Sequence, residues 1–164
     1  MTSSRDRDPA GRPRNARPRD ATGRPLPHGT AGIEQPPEDV ELGPRESIAE
    51  AQRLLDGGYP FHAHEVLEAA WKASEPAERD MWQGLAQLAV GLTHAQRGNT
   101  TGAAALLRRG AERIGTRAQD PPHGLELTGL RDRAVALAER IEREGLDALS
   151  GQDVRLELAP ARAE

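Results

Sequence analysis

The sequence predicts an all-α protein, a compact multi-helical bundle of about five helices. Three observations lead to this fold class. Apolar residues recur at helical spacing across 44–145, and proline or glycine stands between one periodic stretch and the next. Two stretches about 40 residues apart also repeat one apolar pattern. We therefore expect one helical domain at 44–145, between a disordered Arg/Pro/Gly-rich tail at 1–43 and a flexible C-terminal tail at 146–164.

The positions of the helices follow from the apolar period and from the residues that interrupt it. We expect helices at about 44–56, 60–73, 76–97, 100–118 and 128–144. The first two are separated by a glycine pair, and each begins with a proline, which suits the first helical position. The third helix is unusual because residues 81–96 include no Asp, Glu, Lys or Arg. A helix without charge is normally buried on most sides.

The repeated apolar pattern links the second helix to the fourth. Aligning Gly58 with Gly98 places the apolar residues of 63–70 over those of 103–110. Two helix–turn–helix hairpins follow from this alignment, and they resemble hairpins of the tetratricopeptide type. Because a solenoid usually needs three or more such units, we expect a compact bundle and not an extended array.

The composition excludes several kinds of site and partner. The 164 residues include no cysteine, which rules out disulfides and thiolate metal sites. No apolar run is long enough for a signal peptide or a membrane span, so we expect a cytoplasmic protein without a membrane partner. Residues 1–25 contain seven arginines and three aspartates, and an arm that grips nucleic acid is the alternative to a solvated tail. The net charge of −4 gives no general reason to expect nucleic acid binding.

A polar stripe runs along the third predicted helix. Gln83, Gln87 and His94 fall within about 40° of one another on a helical wheel. A buried glutamine without hydrogen bonds costs about 1–3 kcal/mol, so the stripe needs partners or a wet cavity. Gly84 and Gly91 flank the stripe, and we expect them to allow close approach of another helix or to leave room for a ligand.

The second predicted helix offers the nearest partners for this stripe. His64 and Glu68 are four residues apart and therefore share one face, with Glu65 beyond them. Trp71 and Trp82 are expected to wall the site or the core. This arrangement predicts a polar groove between the second and third helices.

Three interpretations of the groove stay open. In the first, His64 and His94 are core histidines in a structural hydrogen-bond network. In the second, the groove is a pocket for a small polar molecule or a peptide end. In the third, His64, Glu68 and His94 hold a divalent metal, with Glu65 or Glu68 as a base. The third departs from the two-histidine zincin pattern, in which the second histidine would stand at Glu68.

Three blocks of the sequence carry a family resemblance. The blocks are FHAHEVLEAAW at 61–71, WQGLAQLA at 82–89, and His94 with RGN at 97–99 and GA at 102–103. In this order they resemble the uncharacterised bacterial family called domain of unknown function 309, over about 47–115. The resemblance implies a small all-α protein and brings no activity. The signature positions of the family map onto His64, Glu65, Glu68, Trp71, Gln83, Gly84, Gln87, His94, Gly98 and Asn99.

These observations favour a helical module that binds a small polar ligand or a protein partner through the groove. The residues expected to contact the ligand are His64, Glu65, Glu68, Trp71, Gln83, Gln87 and His94. A metal-dependent hydrolase that uses a divalent cofactor at the same residues is one alternative, although an enzyme is the less favoured interpretation. A nucleic-acid-associated factor acting through the Arg-rich arm is another. A homodimer through the outer side of the fifth helix is a further alternative.

Overall fold

Five α-helices in sequence order build the part of the chain that the structure describes. The computed structural model describes residues 42–147, 149–150 and 154–159, together with the backbone of 6–7 and 13–14. The helices are α1 (Pro44–Asp56), α2 (Pro60–Ala73), α3 (Arg79–Gln96), α4 (Thr100–Gly115) and α5 (Leu127–Glu144). The predicted all-α fold of about five helices is confirmed.

The N-terminal region contributes only a short strand pair to this description. Strands β1 (Asp6–Arg7) and β2 (Pro13–Arg14) pair antiparallel, with Asp6 opposite Arg14. The rest of the predicted disordered tail, apart from residues 42 and 43, lies outside the described residues.

Proline and glycine set most of the helix boundaries. Both α1 and α2 begin at the predicted prolines, and their bounds agree with the expected ones. Pro76 opens a 3₁₀ turn (Pro76–Glu78), so α3 starts three residues later than predicted. Helix α4 ends at Gly115, and turn residues follow where the sequence predicted three more helical residues.

The two repeated hairpins contain the same turn. Gly58 and Gly98 both adopt left-handed backbone conformations, with φ of +86° and +81°. The residue after each glycine donates its N–H back to the preceding helix, Tyr59 to Leu54 O at 2.8 Å and Asn99 to His94 O at 2.9 Å. This is the helix-ending motif that favours glycine, and it explains why the sequence repeats after 40 residues. The likeness to tetratricopeptide hairpins stays a prediction.

Helix α3 is the centre of the bundle and packs on α2 and α4. Its large apolar residues are buried, among them Met81, Trp82, Leu85, Leu88 and Leu92. Consecutive helices pack against each other from α1 to α5. None of the five described helices combines the length and the apolar character needed to span a bilayer.

The closest helix contact is between α3 and α4 and depends on glycine. A Cβ added at Gly84 would lie 2.8 Å from Arg113 Cβ and 3.0 Å from Gly110 O, and a Cβ at Gly110 would lie 2.8 Å from Gly84 O. A Cβ at Gly91 would lie 3.2 Å from Leu107 N. Of the two uses expected for Gly84 and Gly91, the structure shows close approach of a helix, and that helix is α4.

The C-terminal segment 154–159 packs on the bundle, although the sequence predicted a flexible tail over 146–164. Leu156 and Leu158 are each only 1% exposed and belong to the core. Their spacing of two residues places both side chains on one side of an extended backbone. Burial of a leucine contributes about 1.5–3 kcal/mol, which explains why this segment stays on the bundle.

Candidate functional site

The candidate site begins with a row of charged and polar side chains on α2. His64 Nε2 lies 2.9 Å from Glu68 Oε2, and Lys72 Nζ lies 3.0 Å from Glu68 Oε1. Each pair is four residues apart, which stacks side chains on one helix face. Glu68 thus receives a hydrogen bond on each carboxylate oxygen.

Opposing effects act on the Glu68 carboxyl group. Burial raises the pKa of Glu68, but hydrogen bonds from Lys72 and His64 and the charges of both partners lower it more, so the pKa lies below its usual range. The group is therefore a carboxylate at neutral pH. In the neutral form of the His64 ring, the ionised Glu68 favours the tautomer with the proton on Nε2, next to its oxygen.

Two buried polar atoms of the predicted site have no hydrogen-bond partner. They are His64 Nδ1 on α2 and Gln87 Oε1 on α3, and they are the two such side-chain atoms within the described residues. His64 as a whole is 21% exposed at its side chain, so the buried atom lies on the inner side of a ring whose outer side contacts solvent. Each such atom costs about 1–3 kcal/mol while it stays unpaired.

Contacts near Phe61 align the ends of the two helices. Gln96 Nε2 donates to Gly58 O at 2.7 Å, which ties the end of α3 to the start of α2. Arg97 Cζ lies 5.8 Å from the centroid of the Phe61 ring, and the His64 ring centroid lies 5.5 Å from the same ring. The half-buried Phe61 ring therefore lies close to both His64 and the Arg97 guanidinium.

His94 lies in the last turn of α3 and does not join His64 and Glu68. Its Nδ1 lies 3.0 Å from Asn99 Nδ2, and Asn99 Oδ1 accepts a hydrogen bond from Gly102 N at 3.0 Å. Asn99 is thus the N-cap of α4. In the described ranges, no group of three or more His, Asp or Glu is placed to hold a metal ion. The structure therefore does not assemble the predicted metal set of His64, Glu68 and His94.

The remaining predicted site residues occupy the same two helices. Glu65, Trp71 and Gln83 are half-buried. Trp82 is different, because it is only 1% exposed and donates through Nε1 to Glu78 Oε1 at 3.1 Å. Of the two positions expected for Trp82, the structure shows the core.

Sequence reasoning missed the buried histidine of α2, which is His62. This side chain is 2% exposed, and its Nδ1 lies 3.4 Å from Glu65 Oε1. The structural interpretation named His64 and His94 as core histidines, yet both are half-buried. On a helical wheel His62 and His64 flank Ala63 at opposite edges of the apolar arc. Because α2 packs against both α1 and α3, the arc is wider than the apolar residues alone indicate.

A second polar cluster lies at the N-terminal end of α3. His123 Nε2 lies 2.7 Å from Glu78 Oε1, which also accepts the Trp82 bond. Burial raises the pKa of Glu78, but hydrogen bonds from His123 and Trp82 and the charges of His123 and Arg117 outweigh it, so the pKa lies below its ordinary value. This cluster fixes the loop before α5 to the start of α3.

The comparison with known families concerns the segment that contains α2 and α3. Residues 48–106 match the family described as Domain of unknown function (DUF309). This segment, 59 of the 164 residues, is therefore similar to the DUF309 family. The resemblance expected from the three sequence blocks is thereby confirmed, and it covers α2 and α3 with every predicted site residue. Helix α5 and the segment 154–159 lie outside the DUF309 match.

A curated relative shares a shorter stretch. The "Uncharacterized protein YpuF" of Bacillus subtilis (strain 168) is 48% identical over 48 residues, which are 29% of this chain and 28% of that protein. The chain therefore matches well under two thirds of that relative. No solved structure matches the chain. Neither the DUF309 match nor this relative assigns an activity.

Proposed function

We propose that this protein is a binding module that holds a small polar ligand with hydrogen-bond donors between α2 and α3. The observation that carries the proposal is the pair of buried atoms without partners, His64 Nδ1 and Gln87 Oε1. Buried polar atoms in folded proteins are nearly always hydrogen-bonded. The two buried atoms without partners lie on helices that pack together. This favours a ligand site over a hydrogen-bond network in which every member is satisfied.

The hydrogen bonds of Glu68 determine which groups the ligand must bring. In the neutral form of His64 the proton is on Nε2, next to Glu68, so Nδ1 presents a lone pair. Gln87 Oε1 is also an acceptor. A ligand that satisfies both atoms must therefore donate, through hydroxyl, amine or amide N–H groups.

The neighbouring residues of α2 would suit a site for a small molecule. Phe61 and Trp71 are half-buried aromatic residues on α2, and small-molecule sites combine mostly apolar walls with a few placed polar groups. Glu65 adds a second carboxylate on the same helix, partly exposed at 32% of its side chain. This surrounding favours a neutral or cationic ligand over an anion.

The other functions expected from the sequence receive less support. A metal-dependent hydrolase needs about three protein ligands, and the described part of the chain brings no such group together. The nucleic-acid alternative depends on arginines of residues 1–25, most of which lie outside the described residues. We therefore put forward the binding module alone.

Nuclear magnetic resonance on the full chain tests the proposal with two probes of opposite character. Ethanolamine donates through its ammonium and hydroxyl groups, whereas acetate only accepts. We expect ethanolamine to shift the His64 Nδ1 and Gln87 side-chain signals, and acetate at equal concentration to leave them in place. The His64 nitrogen shifts should also report the tautomer with the proton on Nε2.

The variant Gln87→Met tests the contribution of the Gln87 acceptor, because it removes that acceptor and keeps the length of the side chain. The response to ethanolamine should weaken in this variant. Equal responses to both probes, or a response to neither, would contradict the proposal.

A further inference from the structure

Residues 154–159 occupy a groove between α1 and α5, and α1 binds their backbone through one side chain. Gln52 Nε2 donates to Leu156 O at 3.1 Å, and Gln52 Oε1 accepts from Leu158 N at 2.7 Å. In a parallel sheet, a residue bonds two backbone groups of the neighbouring strand. They are the C=O of the residue before its partner and the N–H of the residue after its partner. The Gln52 side-chain amide thus forms the two hydrogen bonds that a residue of a neighbouring parallel strand would form opposite residue 157.

The side chains of the segment alternate between the core and the surface. Leu156 and Leu158 are buried, while Arg155 and Glu157 are exposed. This period of two is typical of extended peptides that are recognised through main-chain bonds and alternate side-chain pockets.

Charged residues of the bundle flank the two buried leucines. Arg155 Nε lies 2.9 Å from Asp56 Oδ1 at the end of α1. Arg133 on α5 reaches both the carbonyl of Arg155, at 3.5 Å, and the Glu157 carboxylate, at 4.0 Å. On the other side of the segment, Glu126 N donates to Leu158 O at 3.3 Å. Charged residues therefore lie on both sides of the first leucine.

We propose that this groove is a peptide-recognition site for an extended Arg-Leu-Glu-Leu segment, and that residues 154–159 are its occupant within the same chain. The backbone clamp by Gln52 gives the affinity, and the two leucine pockets with the Asp56 and Arg133 charges give the specificity. This site is separate from the α2–α3 groove and does not depend on the ligand proposed there. The α1 residues Gln52 and Asp56 lie inside the DUF309 match, whereas the occupant lies outside it.

A free peptide competes poorly with a segment that is tethered next to its own site, because a short tether produces an effective concentration of about millimolar. The test therefore uses the full chain with Leu156→Asp and Leu158→Asp, which disables the occupant and leaves the groove residues unchanged. The probe is a fluorescent peptide with the sequence of residues 154–159, VRLELA. Its control is the same peptide with aspartate at both leucine positions.

We expect the double variant to bind the VRLELA peptide about tenfold or more tightly than the parent chain does, and not to bind the aspartate peptide. Adding Gln52→Ala to the double variant should weaken the binding. Circular dichroism checks that the variant keeps the helical content of the parent. A folded double variant that does not bind the peptide overturns the proposal.

Hydrogen exchange on the unaltered chain decides the question if the double variant does not fold. A docked peptide detaches by local opening, so the Leu158 amide should exchange faster than the core amides of α3 and α5. Gln52→Ala should speed that exchange further. The control Gln96→Ala, which removes a similar glutamine bond to the Gly58 backbone, should leave it unchanged. If the Leu158 amide exchanges only with the slowest amides of the core, the segment is an inseparable part of the bundle and the proposal is wrong.

Discussion

Replacing Gln87 with methionine tests whether the amide on α3 serves a ligand or the fold. Its Oε1 is buried without a hydrogen-bond partner, and such a group costs about 1–3 kcal/mol. Methionine has a similar length and a flexible apolar side chain that fills irregular space. We therefore expect the ligand-free variant to unfold with a free energy higher than that of the parent. The gain should be about 1 kcal/mol, at the low end because Gln87 is half-buried as a residue.

Urea unfolding followed by circular dichroism measures this difference in free energy. For a domain of about 100 residues, 1 kcal/mol corresponds to a rise in Tm of about 4–8 °C. The matched control is Gln83→Met, because Gln83 lies one turn earlier on α3 and has no buried unpartnered atom among the described residues. Its effect should stay within about 0.5 kcal/mol. A clear loss of stability in Gln87→Met beside a neutral Gln83→Met would refute the reasoning, since it would show that the Gln87 amide belongs to a satisfied network.

Substitutions at three further positions test the packing, the cap and the charge described above. Gly84→Ala should lower the free energy of unfolding by about 1–3 kcal/mol in a urea titration, because the new Cβ would lie 3.0 Å from the Gly110 carbonyl oxygen. An unchanged midpoint of the titration would mean that α3 and α4 can separate freely. Asn99→Ala should lower the free energy of unfolding by about 1 kcal/mol, because the N-cap of α4 is lost. Asn99→Asp should keep most of the stability that the cap contributes. The lowered pKa of Glu78 means that its stabilising effect is complete above its ordinary value of 4.5 and is lost as the pH falls through the lowered pKa. Glu78→Gln should therefore flatten the acid limb of a plot of Tm against pH, and parallel acid limbs would contradict this.

The features of the fold that depend on neighbouring residues could be predicted from the sequence. Prolines at the start of α1 and α2 and the turn glycines Gly58 and Gly98 act within one helical turn, so they fixed those boundaries correctly. The contact between His64 and Glu68 follows in the same way from a spacing of four residues. The buried atoms of His64 and Gln87 depend on how α2 and α3 pack, and the sequence indicated only that these residues needed partners.

Features that depend on residues far apart in the chain could not be predicted in this way. His62 is buried because α2 has a helix on each side, and a wheel drawn for one helix does not contain that information. His94 was grouped with Gln83 and Gln87 by its angle on α3, yet Asn99 in the next turn takes its Nδ1. The docking of Leu156 and Leu158 requires a glutamine on α1, about 100 residues earlier.

The bond between Gln52 and Leu158 also constrains how the protein is made. It joins residues separated by 106 positions, so the first helix of the bundle and one of the last described residues must both be available. Such distant pairs form late, because the entropy of closing a long loop opposes them. During synthesis the five helices can associate as they emerge from the ribosome, while the side of α1 that carries Gln52 stays open until Leu158 has followed. A newly made chain therefore leaves this side of α1 uncovered until residues 154–159 have been made.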